Sequence, residues 1–307
     1  MAKKNQFKSS CVFCGGKSPS DEHVFPQWLG KRLNYPCDQS IQRRRVARYI
    51  DGELSYDNFE KSTRNHISSK TTRKICKECN NGWMGKMEND LVPIYEKALN
   101  SKLNLSQDEQ LKLASWAYLL ALKWDLMETK ISGYHHEHYD EFYHNKTPSK
   151  NTKIWIGFSG DDQIECFHRT CVITNDVNNL PPPNIRSTTL KIGPIVFYVL
   201  TDTSDSSEFL GSANTKSPHK LQQMHPYIKT IDDVSTPFSI LRYMEMHTLT
   251  KTCGMQHDTE LAKALLGQDY ATYASSISTL VFSQHDSWAL QTLRQVADIG
   301  LTGPQRD

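Results

Sequence analysis

The chain has 307 residues, enough for one large domain or two modest ones, and neither would need disulfides to fold. Its eight cysteines are too few for a disulfide scaffold at this length, and four of them fall in two CxxC pairs, which points to metal binding in a reducing compartment, the cytoplasm by default. The net charge of +2 conceals an asymmetry: residues 1–90 hold 17 Lys/Arg against 10 Asp/Glu, and the remainder holds 19 against 24. A basic cluster of that kind is the electrostatic footprint of a polyanion binder, although a solvated basic face has the same composition.

The N-terminal residues "MAKKNQFKSSCVF" carry positive charge with no apolar core after them, so no secretory signal is expected. Residues 11–90 are dense in motifs. "CVFCGG" and "CKECNNG" place Cys11, Cys14, Cys76 and Cys79 in two knuckles separated by 61 residues. Each knuckle offers two thiolates from one tight turn, and two knuckles close a tetrahedral zinc site with no open position, a structural arrangement. Such a zinc would contribute on the order of 10 kcal/mol, comparable to the whole stability of a small domain.

Between the knuckles, "SDEHVFPQWLG" sets Glu22 directly before His23, and "QRRRVAR" brings Arg43, Arg44, Arg45 and Arg48 close together, a candidate phosphate-binding group or a solvated flank. Val46, Tyr49, Ile50, Leu54, Tyr56 and Phe59 suggest a hairpin around Asp51-Gly52, a pair suited to a tight turn. Leu105 to about Thr129 reads as a helix capped by Ser106 ahead of Glu109. Its uncharged run between Lys112 and Lys123 is 10 residues, against roughly 20 for a membrane span, so the helix is a buried one. "YHHEHYDEFYHN", with His135, His136, His138 and His144, reads as an amphipathic segment, because nothing completes a metal site.

The chain then turns β-rich. "TKIWIGFSG", "IECFHRTCVIT" and "LKIGPIVFYVL" are β-branched and aromatic runs, with Cys166 and Cys171 as buried thiols on opposite faces of a regular strand. "NNLPPPN" and "DTSDSSEFLGSANTKSP" are loops, and after "IDDVSTPFSILRYMEM" the chain reads as helical again, with Met244, Met246, Trp288 and Leu290 in its core. Cys37 is unassigned, and Cys253 with His257 is too few ligands for zinc.

Together these residues resemble the HNH, or ββα-metal, endonucleases. The pattern is similar to that of the zinc-containing phage Holliday-junction resolvases of the endonuclease VII type, in which CxxC, acid-His and CxxC-Asn follow in order. The matching residues are Cys11 and Cys14, Glu22 and His23, then Cys76, Cys79 and Asn80. The resemblance covers about residues 11–90 and implies that residues 1–100 form a ββα-metal module with an embedded four-cysteine zinc site. Residues 101–307, by their own helical and β-rich runs, read as an α+β accessory domain whose role is open among sensing a signal, oligomerising and selecting substrate, so the chain is expected to be α+β. The resemblance also implies that Glu22 and Asn80 hold a catalytic Mg²⁺ or Mn²⁺ and that His23 takes a proton from water, with an ordinary histidine pKa of about 6.5 suited to that role. DNA is the expected substrate, RNA the lesser option, and phage defence or mobile-element traffic the expected setting.

The sequence also departs from that family. Glu22 stands where the usual acid is Asp, position 84 is Met where many members carry a second histidine, and the middle motif residue is open among Asn58, Asn65 and His66. A bacterial subgroup of HNH proteins shows Trp28, Trp83 and Glu88 recurring, with no role to carry over beyond packing or bracing. The competing reading is a non-catalytic four-cysteine zinc module that binds nucleic acid or protein, with Glu22 and His23 as surface groups.

Overall fold

A computed structural model of the chain describes residues 10–17, 19–33, 40–50, 53–63, 69–100, 105–127, 134, 136–158, 164–171, 185–203, 221–228 and 275–283, with 40–50, 53–63, 165, 167, 169–171, 185 and 275–283 as backbone alone. The molecule is mixed helix and strand. A short strand β1 (Pro19–His23) leads into α1 (Gln27–Arg32) and then a long hairpin, β2 (Ser40–Ile50) and β3 (Glu53–Thr63). β4 (Thr71–Cys76) runs directly into α2 (Lys77–Cys79), a kinked segment at Asn80–Met84 where Gly82 leaves helical geometry (φ −85°, ψ −107°), and α3 (Gly85–Leu99). Helices α4 (Gln107–Asp125) and α5 (His136–Asn145) follow, and then strands β5 (Thr152–Phe158), β6 (Ile164–Cys171), β7 (Ile185–Ile192), β8 (Ile195–Asp202), β9 (Gln222–His225) and β10 (Ser275–Ser283).

Two antiparallel sheets result. β1 pairs with β4 alone, and the other eight strands form a second sheet in the order β3-β2-β10-β6-β7-β8-β5-β9. The hairpin expected around Asp51-Gly52 is present, with Ile50 opposite Glu53. It belongs to the larger sheet, through β10, rather than to the strands beside the cysteines. Because successive strand positions alternate between faces, Arg43 and Arg45 fall at one parity of β2 and Arg44 and Arg48 at the other, so the four do not share a face.

The helix expected from Leu105 is α4, and its start is secured as the sequence suggests. The Ser106 hydroxyl accepts from the Glu109 N–H at 3.3 Å while the Glu109 carboxylate accepts from the Ser106 N–H at 2.8 Å. From Leu113 to Asp125 every residue of α4 is buried. It packs against α3 and against β5 to β9 of the sheet, with Trp116 edge-on to Phe197 at 5.9 Å.

Two expectations change. "LKIGPIVFYVL" is divided: β7 and β8 pair antiparallel about Gly193, whose φ of +58° favours glycine and where a β-carbon would lie 2.8 Å from Leu33 Cδ2. The C-terminal stretch read as helical contains β10, a strand between β2 and β6 in which β-branched and aromatic residues recur over "ISTLVF". The histidine-rich segment is the helix α5, anchored by buried Tyr139 and Phe142. "NNLPPPN", Cys37, Asn65, His66, His135, Met244, Met246, Cys253, His257, Trp288, Leu290, "DTSDSSEFLGSANTKSP" after its first two residues and the segment at 231–246 lie outside the described residues, as does the side chain of Cys171.

Candidate functional site

The first knuckle is a turn closed by two backbone bonds, Gly15 N–H to Cys11 O at 2.9 Å and Cys11 N–H to Gly16 O at 2.8 Å. Gly15 makes that turn possible with a φ of +68°. Val12 N–H donates to Lys74 O at 2.9 Å, laying the knuckle along β4. The second knuckle begins where β4 ends: the Cys76 sulfur accepts the Cys79 N–H at 3.4 Å and caps α2.

All four sulfurs lie within 4.8 Å of one another, with Cys11 to Cys79 at 3.9 Å and Cys14 to Cys76 at 3.5 Å. Zn–S bonds of about 2.3 Å in a tetrahedron require S···S edges of about 3.8 Å, so the four thiols are close enough together to hold a zinc ion. Among the described residues this is the one group of three or more His, Cys, Asp or Glu side chains placed to hold a metal. Burial pushes the Cys76 thiol up to about 11 and raises that of Cys79 further, whereas at Cys11 backbone N–H groups of Cys14, Cys76 and Phe13 outweigh burial and lower it. Left without a cation, such a cluster resists gathering thiolate charge.

The cluster is walled by aromatics. Phe13 meets Trp83 and Tyr139 edge-on at 5.5 Å each, and Trp83 meets Phe142 and Tyr143. The Trp83 indole N–H is buried with no oxygen or nitrogen acceptor, and it lies beside the Cys79 sulfur, where it favours the thiolate. Lys146, held at a φ of +58° just past α5, sets its ammonium 4.3 Å from the Trp83 ring centre and 4.2 Å from that of Tyr143.

Glu22 and His23 end β1 after an irregularity between Ser20 and Glu22. Asp21 there turns outward to Arg73 at 2.6 Å, and Glu22 turns inward, only 4% exposed. Its Oε1 accepts from Lys123 Nζ of α4 at 2.5 Å. The same ammonium, fully buried, reaches the His23 carbonyl at 3.2 Å and Glu88 Oε1 of α3 at 3.5 Å. Burial raises the Glu88 carboxyl, helped by the charge of Glu22 and opposed by Lys123. His23 itself is half-buried, with Nδ1 3.3 Å from the Gln27 side-chain nitrogen of α1. A glutamine amide serves either imidazole tautomer by turning its NH₂ or its oxygen to the ring.

The register of β1 with β4 decides which of these residues meet. Cys76 stands opposite Pro19, while Glu22 and His23 stand opposite Thr72 and Thr71. At about 3.3 Å per residue the two ends of this ladder are roughly 13 Å apart. Asn80, half-buried, leaves from the cysteine end, and the side chain that α3 carries to the level of Glu22 is Glu88. Asn58 lies on β3 opposite Arg45, in the larger sheet.

A second polar cluster, which the sequence reading passed over, is buried between α4 and the sheet. Asp125 Oδ1 meets His168 Nε2 at 3.2 Å, His168 Nδ1 meets Thr188 Oγ1 at 2.8 Å, and Asp125 Oδ2 accepts from the Tyr139 hydroxyl at 3.1 Å and the Tyr134 N–H at 3.2 Å. Burial alone would raise the Asp125 carboxyl, but His168 and Arg186 outweigh it and hold the group below its usual range. No helix among the described residues is long and apolar enough to cross a membrane. No protein-family model, no curated protein and no solved structure matches the chain.

Proposed function

We propose that the chain is a nuclease of the HNH type that hydrolyses phosphodiester bonds, in DNA first and RNA second, with His23 as general base. The observation that carries this reading is the setting of His23: a half-buried imidazole at the end of the two-stranded β1–β4 sheet, whose far end is gathered by four cysteines. The ring is oriented by Gln27. Acting through Nε2, His23 accepts a proton from water, with Nδ1–H then donating to the amide oxygen of Gln27, and the resulting hydroxide attacks phosphorus in line as the bond to the 3′ oxygen breaks, the departing oxygen taking a proton from solvent. Zinc at Cys11, Cys14, Cys76 and Cys79 would be structural, fixing the turn from which β4 and the following helix depart. The basic balance of residues 1–90 suits a polyanionic substrate, with Arg43, Arg44, Arg45 and Arg48 as candidate phosphate contacts. Phage defence or mobile-element traffic is the setting we propose for it.

The divalent cation that the resemblance implies would draw on Glu22 and Asn80. Neither suits it in the described conformation, since Glu22 is buried against an ammonium and Asn80 starts from the other end of the ladder. That mismatch is the observation favouring the second reading, a zinc module that binds nucleic acid or protein without cutting it.

Purified wild type and His23→Ala, incubated with supercoiled plasmid, linear DNA and RNA in Mg²⁺, Mn²⁺ or chelator, separate the two. The nuclease reading expects cutting by wild type and a loss of about 10²- to 10⁴-fold in His23→Ala, with zinc content and DNA binding kept. Equal cutting by both would dismiss His23 as the base. No cutting by zinc-loaded, folded wild type would favour the binding module.

A further inference from the structure

The cation nearest to the proposed catalytic strand is one the chain supplies itself. Lys123 lies on α4, a hundred residues from His23, and its side chain has no exposure at all. Its ammonium has three protons, and the structure gives it three acceptors from two other elements: Glu22 Oε1 and the His23 carbonyl on β1, and Glu88 Oε1 on α3. The geometry points to Lys123 as the resident cation at Glu22, a positioning residue that fixes the end of β1 and so the direction of the His23 ring, and that excludes a divalent metal from the Glu22 carboxylate. This inference rests on the reading of His23 as the base.

Three observations support it. The ammonium bonds the backbone of His23 as well as the acid before it, so it governs the peptide plane that sets where the imidazole projects. The ion pair is shielded, Glu22 being 4% exposed and Lys123 wholly buried, whereas Mg²⁺ keeps several waters and prefers open, hydrated ligands. Finally, α4 packs against the residues that follow β1, Trp124 against Phe25 at 5.9 Å and Trp116 stacked on Trp28 of α1 at 6.3 Å, which holds the Lys123 side chain at the end of β1.

The test pairs a metal titration with a double-variant cycle on the full chain. Mn²⁺ binding is followed by electron paramagnetic resonance for wild type and Glu22→Gln, and thermal unfolding for Lys123→Met, Glu22→Gln and the two combined. The inference expects Mn²⁺ binding to be the same in wild type and Glu22→Gln, including the case where neither binds. It expects Lys123→Met to lower the melting temperature and the combined variant to recover part of that loss, because Glu22 is then no longer a buried charge without its partner and only Glu88 faces the gap. In cleavage assays Glu22→Gln should lose about a hundredfold in kcat with KM unchanged, and raising Mn²⁺ should not restore it, since the defect is one of position.

A weakening of Mn²⁺ binding by tenfold or more in Glu22→Gln, or a rate that returns with added Mn²⁺, would make Glu22 a metal ligand and overturn the inference. So would a combined variant no more stable than Lys123→Met. If wild type cut nothing, the nuclease reading would fall, while the titration and the unfolding cycle would still judge the placement of Lys123.

Discussion

Among single residues, Trp83 has the most to say about the metal. Its N–H finds no oxygen acceptor, sits beside Cys79 and favours the thiolate, and its ring carries the Lys146 ammonium. A neutral donor and a cation on one side of a four-thiolate cluster offset the negative charge that zinc leaves behind, and outer groups of this kind are typically worth tenfold or more in affinity. Trp83→Phe keeps the ring contacts and removes the N–H, so chelator competition should show zinc held about tenfold more weakly, with the apo fold unchanged. The pH dependence has a definite sign. Cys76 rises from 9.0 to about 11 in the metal-free fold, so its contribution to apo stability is whole below pH 9 and is lost as pH climbs through 11. Zinc requires thiolates, so its affinity grows with pH instead. Unchanged zinc affinity in Trp83→Phe would remove the indole from the metal's surroundings. The four cysteines were legible in the sequence because ligand spacing is local. Lys123 was less so, although a lysine at the buried end of "LASWAYLLALKWDL", with no carboxylate three or four positions away on its helix, signals a partner elsewhere in the chain.

The elements were legible in proportion to how local their causes are. The capping box that starts α4 and the Asp-Gly hairpin lie in a few adjacent residues, and both were readable. Which sheet the hairpin joins depends on β10, more than two hundred residues away, and no short-range pattern encodes that pairing. The same limit hid Asp125. In sequence it is the acid closing α4; in the fold it joins α4 to β6 through His168 and to α5 through Tyr139. Because its folded-state carboxyl lies below the usual range, its contribution is present above about pH 3.8 and is lost as pH falls through the folded value. Asp125→Asn should therefore cost about 3 kcal/mol near neutrality, the scale for breaking a buried pair. Urea unfolding at pH 7 and pH 3 checks it: the gap between variant and wild type should narrow at the lower pH. An equal gap at both would mean that the carboxylate's charge is not what the cluster uses.

At the scale of the whole molecule, position 100 is a boundary in sequence motifs but not in packing. Before it lie the cysteines, Glu22 and His23; after it lies α4, which brings Lys123 to Glu22, Trp124 to Phe25 and Trp116 to Trp28. α3 reaches across as well, its Tyr95 hydroxyl donating to the Ile192 carbonyl at 2.6 Å. The cysteine knuckles close on their own thiols and their own backbone bonds, with Trp83 beside them, and what lies past position 100 is part of the aromatic wall, Tyr139, Phe142 and Tyr143 of α5. The His23 end of the β1–β4 ladder has no such independence, since its inward carboxylate is neutralised from α4. A fragment of residues 1–100 should therefore bind zinc yet leave Glu22 and His23 unprotected: in hydrogen exchange, zinc should slow the amides of the knuckles, while the β1 amides near His23 exchange at least tenfold faster than in the full chain. Protection of those amides equal to the full chain's would show that the first hundred residues fold as a unit, and that α4 adds stability without setting the geometry at His23.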